Sequence, residues 1–169
     1  MDRLWAPWRI GYVAGDRPEG CVFCDKIQSG DDEHNHVLHR GQHNVVMLNT
    51  YPYNSGHLMV VSNAHVADLV ELDPEALAEM WRLALLAGET LKRGLHCQGL
   101  NIGLNVGQAA GAGIGDHIHL HVVPRWNGDT NYITTCAEVR VVPQGLEDSY
   151  RQLEPVMAEL AAEMFGSDG

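Results

Sequence analysis

At 169 residues the chain has room for one domain with a substantial core and is too short for two ordinary ones. Its composition, 45% apolar and 20% charged with no apolar run near the ~18 residues of a membrane-spanning helix, excludes the membrane class. A formal charge of −11 without a Lys/Arg cluster excludes a protein built to grip a nucleic-acid backbone, although an anionic small molecule stays compatible, because local donors outweigh total charge in a cleft.

Residues 1–19 group Trp5, Pro7, Trp8 and Arg9 before a polar "GDRPEG", and read as an arm preceding a single domain over 20–169. No basic region followed by a long apolar core marks this end for export, so a cytoplasmic protein is expected. Cys21 and Cys24 then form a CxxC unit, while Cys97 and Cys136 are scattered and read as structural, which is no disulfide framework. The CxxC spacing is half of a tetrahedral zinc site whose other ligands must be distant histidines. The competing redox reading needs a thioredoxin-like βαβ pattern, and none is visible.

From 36 to 48 the pattern gives a short strand, a turn at Gly41 and a second strand over 45–48; "GHLMVVS", 56–62, gives a third, completing an antiparallel meander. Asp73 as N-cap and Pro74 at the first helical position open a helix expected to stop at Gly94. "GLNIGLNVG" alternates, with Leu100, Ile102 and Leu104 expected inward, and a last helix is expected over 147–165. Strands, helix, strands and helix around an antiparallel sheet make an α+β class.

The segment "GDHIHLHVVPRW", 115–126, carries the chemistry. On a strand, His117, His119 and His121 share one face and Ile118, Leu120 and Val122 the other, with i and i+2 neighbours roughly 6.5–7 Å apart. Three readings compete: polar filler on a solvent face, a metal site made of all three, or covalent catalysis in which a neutral imidazole attacks phosphorus while neighbouring imidazoles and amides hold its oxygens. The glycine-rich "GQAAGAGIGD", 107–116, directly precedes the strand and lets backbone amides approach an anion, which favours phosphate.

"HIHLHVV" followed by "PR" resembles the histidine-triad (HIT) family, and "CVFCDKI", "NVVMLNTYPYNSGHLMVV", "NAHVADLVEL" and "LNVGQAAG" resemble its successive blocks in order, so the likeness spans roughly 20–125. With "RLWAPWR" and "HVVPRWNGDTNYI" it is most similar to the family's diadenosine tetraphosphate phosphorylase branch. The resemblance implies a homodimer of α+β protomers, each an antiparallel five-stranded sheet with two main helices. It also implies an enzyme that cleaves dinucleoside polyphosphates, by hydrolysis or nucleotidyl transfer, through a nucleotidyl-histidine intermediate. Rival functions are a purine nucleoside phosphoramidate or adenylate hydrolase and a nucleotide-binding signalling module.

Residue by residue, the resemblance makes His119 the nucleophile and His121 the contact to phosphate or leaving oxygen. It gives substrate-binding or supporting roles to Asn49 at the ribose, His57 behind the nucleophile, Asn105 at the phosphate, and Gly111 and Gly113 in the glycine loop. Zinc-bearing members imply a structural zinc on Cys21, Cys24, His65 and His117. Where many members have Ser or Thr before the first triad histidine, this chain has Gly113-Ile114-Gly115-Asp116, so that contact falls to backbone amides or is absent. Asp116 and Arg125 are left without an assigned role, and Trp5, Trp8 and Trp126 read as packing residues. Nucleotide, with inorganic phosphate as a possible second substrate, is the implied partner; whether water or phosphate accepts the nucleotidyl group decides between hydrolase and phosphorylase.

Overall fold

The computed structural model describes residues 20–129 and 144–166. The arm over 1–19 with its two tryptophans, and Cys136, lie outside these described residues.

Two short helices, α1 (Val22–Ser29) and α2 (Asp32–Asn35), lead into strands β1 (Val37–Arg40), β2 (Asn44–Leu48) and β3 (Leu58–Ser62). Helix α3 (Pro74–Leu95), strands β4 (Gly99–Leu104) and β5 (His119–Arg125), and helix α4 (Leu146–Phe165) follow. The strands form one five-stranded sheet in the order β1-β2-β3-β5-β4, antiparallel at every pairing. This is the expected α+β architecture.

Strand parity sorts the core into two layers. Val46, Leu48, Leu58, Val60, Leu120 and Val122 face α3 and α4, packing on Met80, Leu83, Leu86, Leu91, Leu153 and Met157. The alternate residues Val45, Met47, Met59 and Val61 face Phe23 of α1, with Cys21, Ile27 and Ile114 at the margin. Full burial of each such side chain contributes roughly 1.5–3 kcal/mol, so both faces of the central strands are held. Cross-strand register sets Val61 opposite His119 and Met59 opposite His121, so these two imidazoles face α1 and Ile114 of the glycine loop, away from the two long helices; His117, expected on the same strand, instead lies in the bend before β5.

Helix α3 starts as expected, with Pro74 in its first turn, and its Glu79 carboxylate accepts from the backbone N–H groups of Gln42 (2.7 Å) and His43 (2.8 Å), fastening it to the β1–β2 turn. Its end differs from expectation: the helix runs through Gly94 to Leu95, and His96 takes the left-handed conformation, φ 52°. Gly94 serves close approach instead of termination, since a Cβ there would lie 2.8 Å from Leu153 Cδ2 of α4. Ile102 also departs from expectation, being 40% exposed, because β4 is the sheet's edge strand. Cys97 is a partly buried free thiol packed against the larger core. Among the described residues no helix is long and apolar enough to cross a membrane.

Candidate active site and metal centre

Cys21 and Cys24 sit at the start of α1, His65 in the turn after β3, and His117 two residues before β5. The fold joins them: Cys21 Sγ lies 3.2 Å, Cys24 Sγ 3.6 Å and His65 Nδ1 3.3 Å from His117 Nδ1, and one ligand atom from each residue lies within 4.8 Å of the others. The His117 Nε2–H donates to the Ser62 carbonyl at 2.7 Å, which leaves Nδ1 as the lone-pair nitrogen turned to the thiols. Burial and the adjacent Cys21 push the Cys24 thiol up from its ordinary value. Two sulfurs and two imidazole nitrogens at this separation fit a tetrahedral cation, and these four residues can hold a metal.

The other two triad members belong to a different set of contacts. His119 Nδ1–H donates to the carbonyl of His117 at 2.8 Å, so its Nε2 carries the lone pair. Its ring packs against Phe23 at 4.9 Å between centroids and edge-on to His121 at 4.8 Å. His57 Nδ1 accepts from the Tyr53 backbone N–H at 3.1 Å; its Nε2–H therefore donates to His121 Nδ1 at 3.0 Å. By the same logic His121 presents its own Nε2–H outward. Thus the fold aligns a lone pair on His119 beside a donor on His121.

Exposure divides the imidazoles the same way: His57 is 0% and His117 1% accessible, whereas His119 keeps 7% and His121 8%. Burial holds His119 below the ordinary imidazole value. It lowers His121 to about 4, helped by His119, and His57 to about 3, helped by both. In all three, burial thus favours the neutral imidazole, the state in which a ring nitrogen can attack an electrophile.

Asn49 follows β2; its Oδ1 accepts from the Tyr51 N–H at 2.9 Å and its amide lies 3.4 Å from His57 Nδ1. His57 has both ring nitrogens on protein partners and reaches a ligand only through His121. Asn105 continues β4 past Leu104, whose partner is Leu120, and lines a cavity of about 300 Å³ with His121. In the glycine loop the Gly111 N–H is already committed to the Gln108 carbonyl at 3.0 Å, whereas Gly113 is exposed. Asp116 is exposed beside His117. Arg125 is ion-paired through Nε and Nη2 to Asp129 at 2.6 and 2.9 Å, with Nη1 on Asn101 Oδ1 at 2.7 Å. Trp126 N–H also donates to Asp129, at 3.2 Å.

Sequence reading missed three contributors. Tyr53 supplies the amide that sets the His57 tautomer, and its ring lies 4.7 Å from that of His57. Asn54 bridges Asp129 and the Pro124 carbonyl, both at 3.0 Å, tying the loop before β3 to the exit of β5. Phe23, inside the CxxC unit, touches His117 and His119 together. Only Phe23 had a local signal, an aromatic between two metal-type ligands; the others depend on long-range contacts.

Comparison with known proteins agrees with this geometry. The model of the HIT domain matches residues 31–128. The chain is 38% identical over 165 residues to an AP-4-A phosphorylase of Mycobacterium tuberculosis, covering 90% of this chain and 83% of that protein. It superposes on a Zn-bound histidine triad family protein from Mycobacterium smegmatis with a TM-score of 0.70 and 32% identity, covering 85% of this chain and 97% of the other. A histidine triad nucleotide-binding protein from Sulfolobus tokodaii gives a TM-score of 0.68 at 25% identity, over 88% and 98% of the two chains. A family model over more than half of the chain, and two imidazoles alternating on β5 with the third just before it, lead to one conclusion: this protein belongs to the HIT family.

Proposed function

We propose that the protein is a nucleotidyl transferase of dinucleoside polyphosphates, acting on diadenosine tetraphosphate by way of a nucleotidyl-histidine intermediate. One observation carries this reading: the His117 carbonyl fixes the proton of His119 on Nδ1, so a neutral Nε2 lone pair stands beside the His121 donor. The similarity to an AP-4-A phosphorylase across most of both chains supports the substrate class. His119 Nε2 attacks the α-phosphorus, and the P–O bond to the remaining nucleotide breaks. His121 Nε2–H stabilises the charge developing on oxygen, a contribution typically worth several kcal/mol for a preorganised donor. Asn49 holds the ribose, an amide being able to donate and accept. Asn105 and the loop bearing Gly111 and Gly113 border the phosphates, with Gly113 and its neighbours offering amides in place of the Gly111 N–H.

The metal in this reading is zinc, held by Cys21, Cys24, His65 and His117, where it supplies a structural cross-link between α1, the turn after β3 and the start of β5. A homodimer completes the reading, and the β4 edge with its exposed Ile102 offers a surface for it. A nucleotide substrate also agrees with the expected cytoplasmic location.

Incubation with diadenosine tetraphosphate, with and without inorganic phosphate, tests the function. ATP plus ADP in phosphate, or ATP plus AMP in its absence, supports it. Absence of turnover in both conditions, with no adenylylated protein on acid quench, overturns it.

A further inference from the structure

The CxxC unit stands at the start of α1: Cys21 is its N-cap and Cys24 lies in its first turn. Side chains three residues apart there are neighbours, roughly 5–6 Å between Cβ atoms, and the two sulfurs belong to a group whose ligand atoms all lie within 4.8 Å of one another. Both cysteines are half-buried and His65, 3.4 Å from Cys24 Sγ, is exposed, so a small solute reaches the sulfurs without unfolding. Cys97, the third described free thiol, packs with the larger core and not with this pair. Phe23 lies inside the pair and is buried, its ring 4.9 Å from that of His119 and 5.4 Å from that of His117. The His117 carbonyl accepts from His119 Nδ1–H, and the His117 ring faces both sulfurs. His119 is thus braced by two residues, Phe23 and His117, that are tied to the thiols.

We propose that Cys21 and Cys24 are a reversible oxidation site for hydroperoxides, and that closing their disulfide frees the metal and unseats His119. The inference rests on the metal set and the function proposed above and adds how the protein responds to an oxidant. A thiol bound to a cation is deprotonated, and the thiolate is the form that attacks peroxide. Cys24, on the side of the exposed His65, reacts first: its sulfur bonds one peroxide oxygen, the O–O bond breaks, and the departing hydroxide takes a proton to become water. The Cys21 sulfur then bonds the Cys24 sulfur, the S–O bond breaks, and a second hydroxide leaves and is protonated. Two thiolates give up two electrons in all, one peroxide is reduced, and two protons from solvent complete two waters. Oxidation removes two of four donors, and two imidazoles alone hold a cation weakly. A disulfide also draws its Cβ atoms to about 3.5–4.5 Å, so the turn carrying Phe23 tightens and the ring shifts against His119. In a reducing compartment such a bond is transient, as sensing disulfides are.

The full, metal-loaded chain, titrated with hydrogen peroxide and then with dithiothreitol plus zinc, tests this. The expected result is one disulfide, mapped by mass spectrometry to Cys21 and Cys24, with the zinc released to a chromogenic chelator in step with it. Turnover of diadenosine tetraphosphate should fall at least about tenfold as the metal leaves, and return with reductant and zinc. The ring-nitrogen NMR signals of His119 should move on oxidation, a readout independent of turnover. Cys97→Ser should behave as wild type throughout. Retention of both thiols under peroxide, a bond that involves Cys97 or Cys136, or a Cys21–Cys24 disulfide that leaves the His119 signals and turnover unmoved overturns the inference. Lack of turnover or of zinc in the untreated protein instead overturns the function or the metal proposed above, with the thiol mapping and the His119 signals still deciding the oxidation site.

Discussion

His117 and His119 are joined by a hydrogen bond from an imidazole to a backbone carbonyl: the ring of His119 donates to the carbonyl of His117 at 2.8 Å, while the ring of His117 turns to two cysteine sulfurs. One residue thereby joins the cluster that can hold a metal and orients its neighbour. The contact fixes the tautomer of His119 without any acidic partner, which is how a neutral nucleophile is kept available in a buried site.

Replacing His119 by Ala is expected to lower turnover of diadenosine tetraphosphate by at least about 10³-fold, because no other lone-pair nitrogen occupies its place. Steady-state kinetics and acid-quench detection of the adenylylated protein measure it. Near-native turnover in this variant excludes His119 as the nucleophile.

On the proposed zinc centre, removal of the metal is expected to destabilise the chain, since the four-residue cluster would tie α1 to the sheet beside Phe23 and Ile27. A loss of ~3 kcal/mol would lower the thermal midpoint by roughly 6–12 °C for a domain of this size. Elemental analysis should give one zinc per chain, and Cys24→Ser should reproduce the effect of a chelator. A metal-free chain with an unaltered midpoint contradicts the assignment.

Acid should weaken the fold before it protonates the site. His57 and His121 sit at about 3 and about 4, below their ordinary 6.5, so the unfolded chain binds protons that the folded chain refuses. Their favourable contribution is complete above 6.5 and declines as pH falls toward 4 and then 3, at up to about 1.4 kcal/mol per pH unit for each group. Urea unfolding across this range reads the slope; stability that holds constant down to about pH 4 refutes the prediction.

Leu120 lies between His119 and His121 in sequence but is fully buried on the opposite face, against α3 and α4. Leu120→Ala should cost about 2–5 kcal/mol, measured by denaturant midpoint. A loss below about 1 kcal/mol would show that this face is not packed as described.

Much of the fold was legible because its signals are local. The alternation of β5 announces its faces, the short apolar runs of β2 and β3 between turn residues announce strands, and Asp73-Pro74 announces α3. Gly94 misled because a glycine that ends a helix and one that admits a neighbouring helix look alike until Leu153 is placed against it. Ile102 misled because alternation reports a face but not whether anything covers it at a sheet edge. In the site, the imidazoles and the CxxC unit were visible as residue types, whereas Tyr53, Asn54 and Asp129 act through a backbone amide and contacts across a turn, for which no residue pattern exists.

By itself the sequence determined that His119 and His121 share one face of a strand, since side-chain alternation is a property of the extended backbone alone, while the place of His117 before β5 was not legible in it. The tertiary structure decided their division of labour. Proton position on each ring depends on partners distant in the chain: Ser62 is 55 residues from His117, and His57 is 64 from His121. Only packing β3 against β5 brings those groups within hydrogen-bond reach, so the proton positions that the proposed roles require are set once the sheet is assembled.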